Sequence, residues 1–246
     1  MISLKLNIKR IYTNLLASLF IITIIAMLMI SLKVQIGSFF SLWISAETIL
    51  QDLAYTFSRV TVISILAWLF AIIGGWLLNH VNCIRVLTVP GINFVRHISP
   101  FAWFPFAIIW FGLGEKPVSF ILFVTLFFPA LIAIREMFAD INRDYLDEAK
   151  VCGAKNWQLF YHIELPLIKV SLVNFFRILW GLGWTVVIAA EMLGTAVGLG
   201  YRLLDFRYLL YYEEMIIYLI IMGCVGVLID RGLFLLVDGL RKRISN

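Results

Sequence analysis

Six runs of mostly apolar residues divide the chain, and this pattern constrains the fold more than any other feature. A helix needs ~20 apolar residues to cross ~30 Å of hydrocarbon, and only structures that satisfy their own backbone hydrogen bonds can do so. The third run is the shortest and contains Pro105. The sequence therefore predicts an all-α, polytopic membrane bundle of about six transmembrane helices. The predicted spans are 13–32, 56–78, 100–113, 118–134, 173–193 and 215–237.

The composition agrees with a membrane protein. Of 246 residues, 62% are hydrophobic and 14% are charged, whereas soluble domains average ~45–50% apolar and ~25% charged residues. These values exclude a soluble enzyme core, a disordered tail and a nucleic-acid-binding module. Three cysteines lie far apart in the sequence and only three histidines occur, so we expect no disulfide framework, no metal site and no cofactor.

The basic residues predict the orientation. With the N-terminus in the cytoplasm and six alternating spans, 15 of the 20 Lys and Arg residues fall on the inner side, as the positive-inside rule requires. Both termini are then cytoplasmic. The run at 13–32 is interpreted as a retained anchor rather than a signal peptide, and Gly37–Leu53 is predicted to be an amphipathic helix on the outer face. Residues 1–54 would form this N-terminal unit, and residues 55–246 the core.

The longest inner loop has the most informative pattern, from Asn142 to Ile168 within the segment between the fourth and fifth spans. Apolar residues at helical spacing predict two short helices there. We expect Asp144 to cap the first helix and Asn156 the second. Gly153 would end the first helix, since glycine adopts the left-handed conformation at little cost. Pro166 would end the second helix.

The same loop resembles the EAA loop of binding-protein-dependent ABC importer permeases. That family's pattern is Glu-Ala-Ala, three residues, Gly, nine residues and Ile-x-Leu-Pro. In this register Asp147 stands where Glu is usual and Glu148 where the first Ala is usual. Segments 100–117, 189–207 and 222–243 are similar to the nitrate, sulfonate and taurine branch of the family. Asp147 and Glu148 therefore differ from the pattern. The residues of the loop that match it are Ala149, Gly153, Ile163, Leu165 and Pro166.

The resemblance implies a type I ABC importer permease core in the bacterial cytoplasmic (inner) membrane, with loop 142–168 as a coupling element. Expected partners are two ATP-binding cassette ATPase subunits, a periplasmic or lipid-anchored solute-binding protein, a second copy of the chain in a homodimer, and the lipid bilayer, but no nucleic acid. An interfacial hairpin without a partner is the alternative for the loop. The residues implied to contact the ATPase are Asp147, Glu148, Ala149, Gly153, Ala154, Trp157, Ile163, Leu165 and Pro166.

The sequence has no Gly-x-x-x-x-Gly-Lys-Ser/Thr phosphate loop. We therefore expect a non-catalytic transport subunit, with ATP hydrolysis in a separate subunit. The branch resemblance implies a nitrate-, sulfonate- or taurine-like anion, or a vitamin precursor, as the solute. The alternative is an ATP-independent secondary transporter or channel, which the scarcity of ionisable residues inside the spans disfavours. A membrane scaffold that transports nothing is a third possibility.

A few residues are candidates for the translocation pathway. Glu191 follows a long apolar stretch, and charge inside a membrane is costly. It either lines or gates the pathway, or it is an interfacial carboxylate that is solvated or paired with an arginine such as Arg59. Thr185 and Trp184 could face the pathway, although packing is the more frequent role of a tryptophan. Pro105 could kink its helix towards a cavity.

Other charged residues near the ends of the spans have simpler interpretations. Arg177 is expected to extend towards lipid phosphates. Asp230 is expected to pair with Arg231 or to anchor the end of the last span. His80 is expected to be solvated.

Overall fold

A computed structural model describes residue 23 and residues 45–245 of the chain, with side-chain surroundings up to residue 239. This part is helical, and no strand occurs within it. The predicted span 13–32, apart from Thr23, and residues 37–44 of Gly37–Leu53 lie outside the described residues. The described end of the latter segment, from Ala46, forms the first turns of α1. The helices are α1 (Ala46–His80), α2 (Asn82–Arg96), α3 (Phe104–Phe111), α4 (Glu115–Ala139), α5 (Arg143–Val151), α6 (Asn156–Leu159), α7 (Leu165–Gly194), α8 (Leu199–Leu209) and α9 (Tyr212–Ser245).

Four helical stretches of the described residues are long and apolar enough to cross a membrane. They are Ala46–His80, Glu115–Ala139, Asn156–Gly194 and Tyr212–Gly239. A fifth crossing is formed if α2 and the segment Pro100–Phe111 count as one span, although a bend of 97° separates them. The predicted third span is therefore not a straight helix, and α2, which the sequence did not predict, supplies its first part.

A proline lies at the start of α3, and glycines follow its end. Pro105 lies in the first turn of α3, where a missing N–H breaks no helical hydrogen bond. It therefore lies in the start of α3 and does not kink that helix. Gly112 (φ +76°) and Gly114 (φ +125°) then turn the chain into α4. The Gly114 N–H donates to the Gly194 carbonyl at 2.9 Å, which joins the start of α4 to the end of α7.

The core lies where α1, α4 and α7 pack together, and small residues allow the helices to approach closely. A Cβ on Gly75 of α1 would lie 3.0 Å from the backbone nitrogen of Arg135 on α4. A Cβ on Gly183 of α7 would lie 3.1 Å from the Ser64 Oγ of α1. Buried apolar side chains fill the spaces between these contacts: Val60, Ala67, Leu122, Leu126, Leu179 and Val187.

The helices α5 and α6 and the turn that follows form an elbow, residues 143–166, at one end of the bundle. Its first helix is capped by Asn142, whose side chain accepts the Asp144 N–H at 3.1 Å, so Asp144 is not the cap. The second helix begins after Lys155, whose N–H donates to the Gln158 side chain at 2.8 Å. The predicted cap Asn156 is instead the first residue of that helix.

Pro166 does not end the second helix of the elbow. A π-helical turn, Phe160–Glu164, connects α6 to α7, and the Leu165 N–H bonds to the Phe160 carbonyl. Pro166 thus lies in the first turn of α7, and the wider turn before it accommodates the proline ring that would clash in a regular helix. Asn156–Gly194 consequently forms one helical stretch of 39 residues.

Candidate functional site

The centre of the elbow is the glycine turn between α5 and α6. Gly153 has φ +87°, which confirms the expectation of a left-handed glycine at a helix end. Its N–H donates to the Lys150 carbonyl at 2.9 Å, and the Ala154 N–H donates to the Ala149 carbonyl at 3.0 Å. A Cβ built on Gly153 would have no atom within 4 Å. Its conformation, and not its packing, therefore requires glycine here.

The elbow exposes large apolar side chains beside charged ones. Val151 is 89% exposed and Trp157 is 67% exposed. Asp147 pairs with Lys150 at 3.0 Å on the same surface. Among the nine residues predicted for coupling, one group is exposed and the other is half-buried. The exposed group is Asp147, Glu148, Gly153, Trp157 and Pro166, and the half-buried group is Ala149, Ala154, Ile163 and Leu165.

The inward side of the elbow is held to α1 by a buried carboxylate that the sequence interpretation missed. Glu164 in the π-helical turn is fully buried and accepts the Trp76 Nε1–H at 2.8 Å. His80 Nε2 lies 3.1 Å from the other Glu164 oxygen, and His80 Nδ1 donates to the Trp76 carbonyl at 3.1 Å. His80 is exposed to solvent, as the sequence predicts, and it also contacts Glu164. The signal available in the sequence was a carboxylate inside an otherwise apolar helix.

The opposite end of the bundle contains a charged cluster, which we call the clasp: Thr56, Arg59, Glu115, Glu191 and Gly200. Glu191 is fully buried and pairs with Arg59, which is 7% exposed. Arg59 also holds Glu115, with Nη2 to Oε1 at 2.6 Å and Nε to Oε2 at 2.9 Å. The Thr56 hydroxyl donates to Glu191 at 2.9 Å. The clasp thus joins α1, α4 and α7.

The clasp also holds the loop that follows α7. The Gly200 N–H donates to Glu191 at 2.9 Å, and the Leu199 N–H donates to the Thr56 hydroxyl at 2.9 Å. A Cβ on Gly200 would lie 2.0 Å from the Ile188 carbonyl oxygen, so no other residue fits. Glu191 is enclosed by these partners, in agreement with the interpretation that pairs it with Arg59.

The other pathway candidates do not share a surface. Trp184 is buried, stacks on Trp180 with ring centroids 5.4 Å apart, and donates to the Met222 carbonyl at 3.2 Å. This is a packing role. Thr185 is exposed on α7 and donates to its own helix. Pro105 is exposed on the first turn of α3.

An ion pair and a tyrosine hydrogen bond connect α9 to the bundle. Arg177 of α7 forms a bidentate ion pair with Asp230 of α9, with both N–O distances 2.6 Å. Arg177 therefore does not extend towards lipid phosphates, and Asp230 pairs with Arg177 and not with Arg231. Asp52 accepts Arg202 at 3.0 Å and Tyr218 at 2.8 Å. Burial opposes the charge of Arg202, but the contact with Asp52 outweighs it and raises the arginine pKa above its ordinary value.

No group of three or more His, Cys, Asp or Glu side chains able to hold a metal ion occurs in the part of the chain that the structure describes. At the elbow, Glu164 contacts Trp76 and His80. At the clasp, the polar side chains contact one another and the Gly200 N–H. The arrangement is suited to holding helices in place at both ends of a membrane bundle. It offers mechanical connection and an exposed contact surface.

Residues 67–246 match the family described as the binding-protein-dependent transport system inner membrane component. This chain belongs to that family. It is therefore a permease, the membrane component of a transport system. The relatives described next confirm the resemblance to the nitrate, sulfonate and taurine branch. The match covers the elbow, the clasp residues Glu115 and Glu191, and every helix from α2 onwards.

Three curated relatives show how far the similarity extends. A putative ABC transporter permease of Methanocaldococcus jannaschii is 32% identical over 76% of this permease and 70% of its own length. The bicarbonate transport system permease CmpB of Synechocystis is 32% identical over 58% and 52%, respectively. The taurine transport system permease TauC of Escherichia coli is 25% identical over 76% and 68%.

Solved structures support the fold. A bacterial alginate ABC transporter, crystallised in complex with an alginate pentasaccharide-bound periplasmic protein, superposes with a TM-score of 0.65. The alignment covers 94% of this permease and 95% of that chain at 17% identity. The predicted fold class, an all-helical membrane bundle of the ABC importer permease type, is confirmed.

Proposed function

We propose that this permease is the translocation subunit of an ATP-driven importer and that its elbow docks on a separate ATPase subunit. The observation that carries the proposal is the exposure of Val151 and Trp157, at 89% and 67%, on a short polar elbow. Large apolar side chains in such a setting mark protein contact surfaces, and tryptophan is enriched among the residues that dominate binding energy.

The attachment of the elbow to the spans supports a mechanical role. Glu164 ties its last turn to Trp76 and His80 at the end of α1. Beyond the π-helical turn the elbow continues into α7 without a loop. A force applied at Trp157 therefore acts on two spanning helices directly. An interfacial hairpin without a partner would not need the buried Glu164 anchor.

A second copy of the chain is part of the proposal. Ser171, Asn174 and Thr185 are exposed on one face of α7, inside a stretch apolar enough to cross the membrane. Polar side chains in a span face protein or a water-filled cavity, since lipid offers no hydrogen-bond partners. We propose that this face lines a pathway between two copies. The Arg177–Asp230 pair, with a half-exposed carboxylate, is accounted for in the same way.

We propose a small anion as the solute, delivered by a binding protein. The relatives whose names state a solute are permeases for bicarbonate and taurine. The elbow then lies in the cytoplasm of a bacterial cell with both termini, and the clasp faces the periplasm. This orientation follows the distribution of Lys and Arg residues. A vitamin precursor remains the second solute class to test.

The test is co-purification and transport with a matched pair of variants. Trp157→Ala should lower the yield of ATPase bound to the tagged permease at least tenfold and abolish uptake in ATP-loaded proteoliposomes. Trp110→Ala is the control, because Trp110 is 57% exposed on α3, away from the elbow. Uptake of bicarbonate, taurine or a pyrimidine that continues without ATP would contradict the proposal and favour a secondary transporter or channel.

A further inference from the structure

A basic cavity lies beside the elbow, where the ends of α1, α2, α4 and α5 meet. Its volume is about 520 Å³. Four cationic side chains line it, and its one carboxylate, Asp147, is already paired with Lys150 at 3.0 Å. The cationic side chains are Arg85, Arg135, Arg143 and Lys150.

The remaining three arginines of the cavity have no carboxylate partner among the described residues. Arg85, Arg135 and Arg143 occur in no ion pair there. The Nε of Arg135 is buried and has no hydrogen-bond partner within the same part of the chain. A buried donor without an acceptor is costly. The cavity therefore has a surplus of positive charge and an unsatisfied donor.

The backbone around Arg135 is held rigidly. A Cβ on Gly75 would lie 3.0 Å from the Arg135 backbone nitrogen, so α1 and α4 touch at this level. Arg135 is four residues before the end of α4, which places it about 6 Å from that end. The arginine thus lies at the boundary of the spanning region, where lipid headgroups are found, and not out on the elbow.

Exposed apolar side chains lie on α2 next to the cavity. Val86 is one helical turn after Asn82, which lines the cavity, so these two side chains share a face of α2. Val86 and the following Leu87 are 70% and 74% exposed. A ligand that extends from the cavity over α2 would place an anionic group among the arginines and a hydrocarbon part on these residues. A lipid with an anionic phosphate headgroup has both parts. Carboxylates of a protein docked on the elbow would have to reach past the elbow to the end of α4 to contact Arg135.

We propose that this cavity binds the phosphate headgroup of an anionic lipid, with Arg85, Arg135 and Arg143 as its donors. Guanidinium groups bind phosphate through paired N–H donors, and basic pockets between membrane helices hold such headgroups. Since the arginines come from three helices, the bound lipid would hold α2 and α5 against α4. This inference does not depend on ATPase docking.

The experiment counts bound phosphatidylglycerol on the intact permease complex. The protein is purified from detergent containing equal amounts of phosphatidylglycerol and phosphatidylcholine and examined by native mass spectrometry. Wild type should retain phosphatidylglycerol in preference to phosphatidylcholine. Arg135→Gln and Arg85→Gln should each lower the retained fraction about fivefold, as the attraction of one basic residue near a charged surface predicts. Arg135→Lys should retain more lipid than Arg135→Gln.

The matched control is Lys169→Gln, which removes an exposed charge from α7 outside the cavity. An equal loss of lipid in this control would overturn the proposal, because it would indicate that the lipid binds through general surface charge.

Displacement of phosphatidylglycerol by millimolar inorganic phosphate would overturn the lipid assignment in favour of a free phosphate. Unchanged lipid retention with weaker ATPase binding in the arginine variants would assign the cavity to a protein partner. Arg85→Gln keeps the test decisive if Arg135→Gln fails to fold, since Arg85 is only half-buried.

Discussion

Replacing Glu191 by glutamine should destabilise the permease far more than the same change at Glu115, although both carboxylates bind the same arginine. Glu191 is fully buried and accepts hydrogen bonds from Arg59, Thr56 and Gly200. Glutamine has the same shape but is neutral, and half of its terminal group is a donor. Glu191→Gln would therefore leave the buried Arg59 with one carboxylate partner. The new amide N–H would also face a hydrogen-bond donor of Arg59, Thr56 or Gly200.

The magnitude follows from burial. Breaking a buried ion pair by removing one partner costs about 3–5 kcal/mol. Since the shape of the side chain and the Glu115 contact are retained, the lower value, about 3 kcal/mol, is expected for Glu191→Gln. The Glu115 side chain is 55% exposed, so solvent screens its attraction and Glu115→Gln should cost at most about 1 kcal/mol.

The assay is thermal unfolding of the purified permease in detergent. At roughly 2–4 °C per kcal/mol for a chain of this size, Glu191→Gln should lower the melting temperature by about 6–12 °C and Glu115→Gln by no more than about 4 °C. Arg59→Met combined with Glu191→Gln should cost about 0.5–3 kcal/mol less than the sum of the single changes, because the double variant leaves no unpaired charge that is buried; the remaining carboxylate, Glu115, is 55% exposed. Equal shifts for the two glutamine variants would refute the reasoning.

Three further predictions concern the ends of the bundle. Gly153→Trp should abolish uptake, because its left-handed backbone (φ +87°) is strained with any other residue and the turn between α5 and α6 would change. The protein should still reach the membrane in normal amounts, since a Cβ there meets no atom within 4 Å. Gly91→Trp is the control, as its Cβ is equally free, and normal transport by Gly153→Trp would count against coupling. Gly200→Ala should prevent stable folding, measured by size-exclusion chromatography, because its Cβ would lie 2.0 Å from a carbonyl oxygen. Trp76→Phe should cost about 1–3 kcal/mol by leaving buried Glu164 short of a donor; an unchanged melting temperature would disprove that anchor.

Local patterns were predictable where a single residue decides the structure. Gly153 could be placed at a helix end, because many helices end in a residue with a left-handed backbone and glycine adopts that conformation at the lowest energetic cost. The caps were not predictable in the same way, since Asn142 and Asp144 are both good capping residues two positions apart. The choice between them depends on where the chain leaves α4. The prediction that Pro166 ends the second helix was wrong for a similar reason, because proline is also tolerated in the first turn of a helix.

Long-range geometry explains the other differences. The sequence named Arg59 as one possible partner of Glu191, but these residues are 132 positions apart, and only the packed bundle shows that Glu115 joins them. The helix α2 was missed because Arg85, Pro90 and Arg96 interrupt its apolar residues. The basic cavity combines side chains from four helices, and no spacing along the chain indicates it.

The unbroken helical stretch from the elbow to the clasp has a consequence for distance. Its 39 residues correspond to a rod about 58 Å long at ~1.5 Å per residue. Pivoting such a rod by about 5° about one end moves its other end by about 5 Å, by the same length estimate. That displacement exceeds the reach of any hydrogen bond around Glu191. A small rotation at the elbow would thus be enough to separate the ion pairs and hydrogen bonds of the clasp, with no need for the intervening helix to deform.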